Sequence, residues 1–299
     1  MVQPTALLAA LAMPPLLLVD YSSLLYRAFH SLPASLPAQG VHGFLNMLAR
    51  LVTDRRPTAL GIAVDDDWRP AFRVAALPSY KSHRVASPGD EPDPVAPQES
   101  LGREVLDALG VAVVGAEGFE AEDIIATLAA RTRQPVEIAS GDRDLFALVR
   151  DPDVKVLYPL RGVTTLLEVD ESEIAHRYAI PGRAYLDFAL MRGDPSDGLP
   201  GVPGIGEKTA AQLLARYGSL DAILAATDLP PAVARKLDGA RDYLAAARKV
   251  VPPVATIALP RLTLAIPARP AHPHVLDRLS AEHALAGPVR RLQQALGQG

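Results

Sequence analysis

Apolar and polar positions alternate in blocks along the first 150 residues. Leu16-Leu17-Leu18-Val19 is an unbroken apolar run that stops at Asp20, and Ala59–Val64 stops at Asp65. Val111–Val114 is apolar again, and Val136–Ala139 leads into Ser140-Gly141-Asp142. Short apolar runs without alternation fit strands buried on both faces. Between them lie stretches with helical spacing at Ser22–His30, Val41–Asp54, Ser100–Leu109 and Ala121–Arg133, the last with apolar residues at 124, 125 and 128. Strands separated by helices predict an α/β fold with a mostly parallel central sheet and flanking helices.

From Tyr178 the pattern turns helical, with breaks at Gly182, Gly193–Gly206, Gly218 and Pro230-Pro231, which predicts a second, all-α unit. Residues 250–299 are proline-rich and irregular and end in a predicted helix, His283–Leu296. The chain thus divides into an N-terminal extension (1–14), an α/β domain (15–180) with a loop at about 80–100, a helical unit (181–260) and a C-terminal extension (261–299). The apolar run Ala6–Val19 has no Lys or Arg before it and is broken by Pro14-Pro15. It fits neither a signal peptide nor a spanning helix, which needs roughly 20 apolar residues. A cytoplasmic protein with no membrane contact is expected.

Composition narrows the picture. With 49% apolar and 21% charged residues among 299, the chain is globular, not disordered, collagen-like or coiled-coil. The absence of cysteine excludes a disulfide scaffold, thiolate metal sites and a cysteine nucleophile. The net charge of −4 is lopsided. Residues 1–199 hold 18 basic and 27 acidic residues, a net −9, whereas residues 200–299 hold 12 and 7, a net +5.

The acids of the first part are clustered. Asp20, Asp65 and Asp142 each follow a predicted strand, and the carboxyl ends of strands in an open α/β sheet line the ligand crevice. One such Asp is an ordinary turn or cap residue; three together point to a shared rim. Glu120-Ala121-Glu122-Asp123 opens a helix, where dipole pairing accounts for one or two acids but not three. Asp144 lies two residues beyond Asp142, and Asp194 and Asp197 share one face of a helical turn. Nine carboxylates in one pocket repel unless neutralised. Divalent hard cations prefer oxygen ligands, and two of them clamp the attacking and leaving oxygens of a phosphodiester. Two such ions would contribute +4, so an acidic chain remains compatible with a nucleic-acid partner.

Two further segments suit nucleic acid. Arg69, Arg73, Lys81 and Arg84 are interleaved with Trp68, Phe72 and Tyr80, and no acid falls between residues 69 and 84. In Gly201-Val202-Pro203-Gly204-Ile205-Gly206-Glu207-Lys208-Thr209, a tight turn exposes the N–H groups of a helix N-terminus, a ready anion site. The spacing is not that of a nucleotide P-loop. Between these segments, Ser87–Pro97 is rich in proline and acid and is expected to be a loop.

Taken in order, Leu18-Val19-Asp20-Tyr21-Ser22-Ser23, Leu25-Tyr26-Arg27-Ala28, Tyr80-Lys81-Ser82-His83-Arg84, Phe119–Asp123, Ser140–Leu145 and Gly193–Thr209 resemble the 5′–3′ exonuclease domain of bacterial DNA polymerase I and its free-standing flap endonuclease relatives. The similarity spans about residues 15–260. It implies a five-prime nuclease, PIN-like fold, a helix–three-turn–helix DNA-binding unit at about 194–217 and an arch over the active site. It also implies Mg²⁺ or Mn²⁺, with Asp20, Asp65, Glu120 and Glu122 holding one ion. Asp142, Asp144, Asp194 and Asp197 hold or orient a second, Glu122 is shared, and Asp123 counts with the cluster. Lys81 and Arg84 steady the scissile phosphate, and Tyr26 or Tyr80 stacks on an unpaired base. Arg27 and Arg73 are further DNA contacts. Gly204, Gly206, Lys208 and Thr209 grip the duplex, and the carbonyls of Val202 and Ile205 hold K⁺. The implied partners are DNA with 5′ flaps, nicks or overhangs and RNA–DNA primers, met by a stand-alone, monomeric nuclease in replication and repair. A non-catalytic DNA-binding module would lack the second set of acids, and a ribonuclease of the acid-cluster type would lack the glycine turn; both features are present. Three departures stand out: Glu122 where the family has Asp, Gly198 where Asn is usual, and an arch segment (87–99) with four acids and no base.

Overall fold

A computed structural model of the chain describes residues 13–87 and 91–298. Residues 1–12 of the expected N-terminal extension and 88–90 of the acidic loop lie outside the described residues. Strands β1 (Leu16–Asp20), β2 (Ala59–Ala63), β3 (Val113–Val114), β4 (Val136–Ala139), β5 (Val154–Arg161) and β6 (Thr165–Val169) form one sheet in the order β3-β2-β1-β4-β5-β6. Every neighbouring pair is parallel except β5 with β6. Mixed α/β architecture with a mostly parallel sheet is therefore what the chain adopts. The hairpin β5–β6 was not predicted. Its inward residues Val154, Val156 and Leu157 are interspersed with Lys155, Tyr158 and Arg161, so the sheet edge reads as mixed polarity.

Central strand β1 is wholly buried, which explains its unbroken apolar run. Leu17 and Val19 point to one face, where α1 (Tyr21–Ser31), α2 (Gln39–Arg55) and α4 (Ala96–Leu109) close a core around Phe44, Leu48 and Val105. Leu16 and Leu18 point to the other, against Ile124 and Ile125 of α5 (Ala121–Arg131). That second core runs on, through Phe188 of α7 (Tyr185–Arg192), into a helical unit made of α8 (Glu207–Tyr217), α9 (Leu220–Ala225), α10 (Pro231–Gly239) and α11 (Arg241–Val250). Short helices α3 (Ala71–Ala76) and α6 (Glu171–Tyr178) complete the first 250 residues. Because the helical unit shares buried side chains with the sheet, its turns are held in register with the strand ends.

Beyond α11 the chain returns along the sheet layer. Leu60 N–H donates to the Leu264 carbonyl at 2.8 Å, beside an isolated bridge between Ala59 and Ala265. The predicted helix His283–Leu296 is shorter, α13 (Ala286–Leu296), and follows an unpredicted α12 (Pro273–Glu282). Ala284, in the left-handed region at φ 57°, breaks the two apart. Helix α13 packs on α2, with Arg291 Nε donating to Asn46 Oδ1 at 2.7 Å, and Leu292 fully buried between them. Residues 261–298 thus complete the core on one face of the sheet. Leu292→Ala is expected to lower unfolding free energy by about 2–4 kcal/mol, the cost of a core cavity, as measured by urea denaturation. A change below about 0.5 kcal/mol would show that α13 is not part of that core.

Candidate active site

The site is built where β1, β2 and β4 end. Asp20 closes β1 and caps α1: its Oδ1 accepts from Ser23 N–H at 3.2 Å. Its Oδ2 accepts from Ser140 Oγ–H at 2.6 Å, and Ser140 Oγ accepts from Asp142 N–H at 2.9 Å. Ser23 Oγ accepts from Gly141 N–H at 2.9 Å. One buried serine and one half-buried serine therefore stitch the ends of β1 and β4 together. Asp65, just past β2, accepts from Ala121 N–H at 2.8 Å and so anchors the first turn of α5.

That turn carries Glu120, Glu122 and Asp123, each with an oxygen within 4.8 Å of the others. Glu122 belongs equally to a second group with Asp142 and Asp144. Asp142 Oδ1 also accepts from Asp144 N–H at 2.8 Å, which sets the turn after β4. Asp194 caps the turn Pro195–Asp197, accepting from Ser196 N–H at 2.8 Å.

Two expected roles need correction. Arg73, expected on DNA, is fully buried. Its Nη1 donates to Glu120 Oε2 (2.5 Å) and Asp123 Oδ2 (2.8 Å), and its Nη2 donates to Asp123 Oδ1 (2.7 Å) and pairs with Glu122 Oε1 (2.7 Å). Its Nε donates to the Val250 carbonyl at 2.9 Å. A guanidinium with these partners cannot reach a phosphate. Tyr80, expected to stack on a base, is also buried, and its hydroxyl donates to Glu120 Oε2 at 2.8 Å. Asp123 is fully buried and takes four donors: two from Arg73, Glu120 N–H at 3.2 Å and Val254 N–H at 2.7 Å. It anchors Arg73 and the segment after α11 while its oxygens stay within 4.8 Å of those of Glu120 and Glu122.

Lys81 and Arg84 do sit at the acids. Lys81 Nζ donates to Glu120 Oε1, and Arg84 Nη2 donates to Asp197 Oδ1 at 2.7 Å and the Ser196 carbonyl at 2.6 Å. Lys81 N–H donates to the Asp197 carbonyl at 2.9 Å, so the base of the acidic loop is docked on the 194–198 turn. Gly198 makes this docking feasible. Its φ is 71°, and a Cβ there would lie 2.1 Å from the Ser79 carbonyl oxygen. A glycine at 198 is what this close approach requires.

Most of the remaining residues lie at the surface. Tyr26 is 40% exposed, with its hydroxyl donating to Asp93. Arg27 lines an open cavity of about 480 Å³ with Ser23, Tyr26, His30 and Gly141, next to the rim. In the glycine turn, Gly204, Gly206 and Lys208 are exposed, Thr209 is half-buried, and Val202 and Ile205 are buried beneath. Arg192 bridges turn and acids, 3.7 Å from Glu207 and 3.9 Å from Asp194. Ser140, Asp93 and Arg192 were given no role from the sequence. Ser140 stands in a quoted motif and Arg192 just before one, but Ser140 meets Asp20 across 120 residues and Arg192 meets Glu207 across 15, contacts that chain neighbours do not signal.

A family model described as 5′–3′ exonuclease, N-terminal resolvase-like domain, matches residues 15–179, and one described as 5′–3′ exonuclease, C-terminal SAM fold, matches residues 180–267. A 5′–3′ exonuclease of Streptomyces coelicolor is 47% identical over 94% of this chain and 99% of its own length. The chain belongs to the 5′–3′ exonuclease family. DNA polymerase I of Mycobacterium bovis is 44% identical over 71% of this chain, which spans 24% of that polymerase. A flap endonuclease of bacteriophage T5, solved with DNA and metal ions, has the same fold, with a TM-score of 0.65 at 18% identity over 95% of this chain and all of its own.

Within the exonuclease, burial acts on several of the acids. Burial raises the Asp20 carboxyl to about 7, with Asp65 and Asp142 adding repulsion and the bonds from Ser140 and Ser23 opposing it. Burial likewise raises Asp142 and Asp144, which also repel each other and feel Asp194 and Asp197. Glu122 is held well above the usual carboxylate range by burial, though Arg73 opposes this. Burial works against the charge of Lys81, but Glu120, Asp197 and Glu122 outweigh it and raise its pKa. An all-oxygen donor set still short of positive charge fits divalent hard cations.

Two outcomes are expected. Removing the cation in Arg73→Met leaves buried acids unpaired and should cost about 3–5 kcal/mol, partly recovered on acidification as those acids take up protons. Denaturation of wild type and variant at pH 5 and 8 checks this; a smaller penalty at pH 8 than at pH 5 would contradict it. In metal-free protein, the native state binds the Asp20 proton more tightly than the unfolded chain. Stability from this group is present below about pH 4 and lost as pH rises through about 7, by at most roughly 4 kcal/mol. Asp20→Asn should flatten that part of the stability–pH curve, and Mg²⁺ should restore the wild type above pH 7.

Proposed function

We propose that this exonuclease is a metal-dependent, structure-specific 5′ nuclease acting at 5′ ends and flap junctions of DNA and on RNA primers. The observation that carries the reading is Glu122, common to two acid groups at the strand ends, with Lys81 and Arg84 beside them. Glu120 and Glu122, together with Asp20 and Asp65, would hold one Mg²⁺ or Mn²⁺ ion, and Asp142 and Asp144, with Asp194 and Asp197 near them, a second. Bound there, the ions would supply an activated water and neutralise charge on the phosphate.

The chain's own groups do the rest. Lys81 and Arg84 are the mobile countercharges: each is paired with a carboxylate that a cation would also claim, so filling the acid groups frees them for the scissile phosphate. Arg73 and Asp123 keep the first turn of α5 in place throughout. Tyr26, held by Asp93 at the foot of the loop, presents a ring to an unpaired base, and Arg27 presents a guanidinium to the strand passing the 480 Å³ cavity. Gly204, Gly206, Lys208 and Thr209 grip the duplex backbone without reading sequence.

A 5′-labelled flap duplex tests this with Mg²⁺, Mn²⁺ or EDTA. Cleavage at the junction is expected with either ion and none with EDTA. Asp142→Ala and Asp194→Ala should each lower the rate by at least about 10³-fold, while affinity for DNA changes less than about threefold. Intact DNA binding by the wild type without any cleavage would instead indicate a non-catalytic DNA-binding module.

A further inference from the structure

Arg192, the last residue of α7, stands between the strand-end acids and the glycine turn. Its Nη2 lies 3.9 Å from Asp194 Oδ2. Its Nη1 lies 3.7 Å from an Oε1 of Glu207, the first residue of α8 after the turn. Both are ion pairs, too long for hydrogen bonds. The backbone beneath them is fixed: Val202 N–H donates to the Met191 carbonyl at 2.8 Å, and a Cβ on Gly201 would lie 2.3 Å from the Arg192 carbonyl oxygen. The stem of the side chain is held as well. Its Nε donates to the Gly193 carbonyl at 3.0 Å, and the guanidinium lies 5.4 Å from the centre of the Phe188 ring. The two terminal nitrogens are thus divided between one acid of the cluster and one acid at the head of α8, and fully committed to neither.

We propose that Arg192 is a positioning residue that couples the charge state of the strand-end acids to the DNA grip of the glycine turn. Glu207 puts a negative charge at the N-terminus of α8, where a duplex phosphate would lie against Gly204, Gly206 and Lys208. While Asp194 is unneutralised, Arg192 is shared between the two acids. Once a divalent ion neutralises Asp194, Arg192 turns its whole charge to Glu207 and cancels the repulsion at the turn. The coupling is reciprocal: a phosphate at the turn, by drawing Arg192 towards Glu207 and away from Asp194, leaves the acids more receptive to an ion. The side chain of Arg192 is 14% exposed, so solvent screens this exchange less than it screens an open surface pair.

The inference rests on the readings that the strand-end acids hold divalent ions and that the turn grips DNA, and the test separates all three. Mn²⁺ affinity of the protein without DNA is measured from free Mn²⁺ by electron paramagnetic resonance. Affinity for a nicked duplex is measured by fluorescence anisotropy in EDTA. Arg192→Met is expected to bind Mn²⁺ at least about threefold more tightly and the duplex at least about threefold more weakly. Arg177→Met, the same charge change at a pair with Glu173, should shift neither by more than about 1.5-fold. Glu207→Gln is an exposed change that leaves the fold intact. It should weaken Mn²⁺ binding about twofold in the wild type and not at all in Arg192→Met, and should restore duplex affinity in the double variant. An unchanged Mn²⁺ affinity in Arg192→Met, equal effects of Glu207→Gln in both backgrounds, or equal effects of Arg177→Met and Arg192→Met would each overturn the proposal. If the wild type takes up no Mn²⁺, the reading of the acids falls with it, and if Lys208→Ala binds the duplex like wild type, the reading of the turn does.

Discussion

The buried guanidinium of Arg73 is the interaction on which the site depends. It sits among Glu120, Glu122 and Asp123 with no solvent exposure, and its Nε reaches the last residue of α11. A charge taken out of water at this depth is tolerable only when fully paired and hydrogen-bonded. Here the pairing is complete on one side only: Arg73 is satisfied, but three acids share one guanidinium and one lysine. The arrangement joins α3, α5 and the helical unit through one group. It also leaves Glu122 under-neutralised at the open edge of the cluster, where an ion would bind.

The rest of the site repeats this balance between fold and charge. The strand ends converge because the sheet is parallel, and convergence concentrates carboxylates that would repel in isolation. Short-range bonds hold them in place regardless: Ser140 between Asp20 and Asp142, Ala121 N–H on Asp65, Ser196 on Asp194. Several of these acids are also helix or turn caps, so the residues that would bind cations are the ones that start α1 and α5. Function and local stability are linked through the same atoms.

Gly198 and the acid-rich loop each have a physical counterpart in the structure. Gly198 accompanies a backbone approach to Ser79 that a side chain would forbid, which fastens the base of the acidic loop to the turn bearing Asp194 and Asp197. The acid-rich loop itself is used locally: Asp93 accepts from Val95 N–H at 2.8 Å, just before α4, and takes the hydroxyl of Tyr26. An acid in that loop thus positions an aromatic ring that faces solvent.

By itself the sequence determined the alternation of strands and helices, the acids at strand ends and the glycine turn before α8. Each is a local signal: an apolar run, a carboxylate next to it, a glycine where φ is positive. It did not determine which charges face outward. Arg73, Tyr80 and Lys81 lie within nine residues and look alike as a basic-aromatic stretch, yet the first two are buried and the third borders the acids. The edge hairpin β5–β6, the return of residues 261–298 across the sheet layer and the ion pair of Arg192 with Glu207 were likewise decided only in three dimensions. Their partners are brought together by packing across many intervening residues, and whether a side chain meets a phosphate, a carboxylate or a carbonyl depends on that packing, not on its neighbours in the chain.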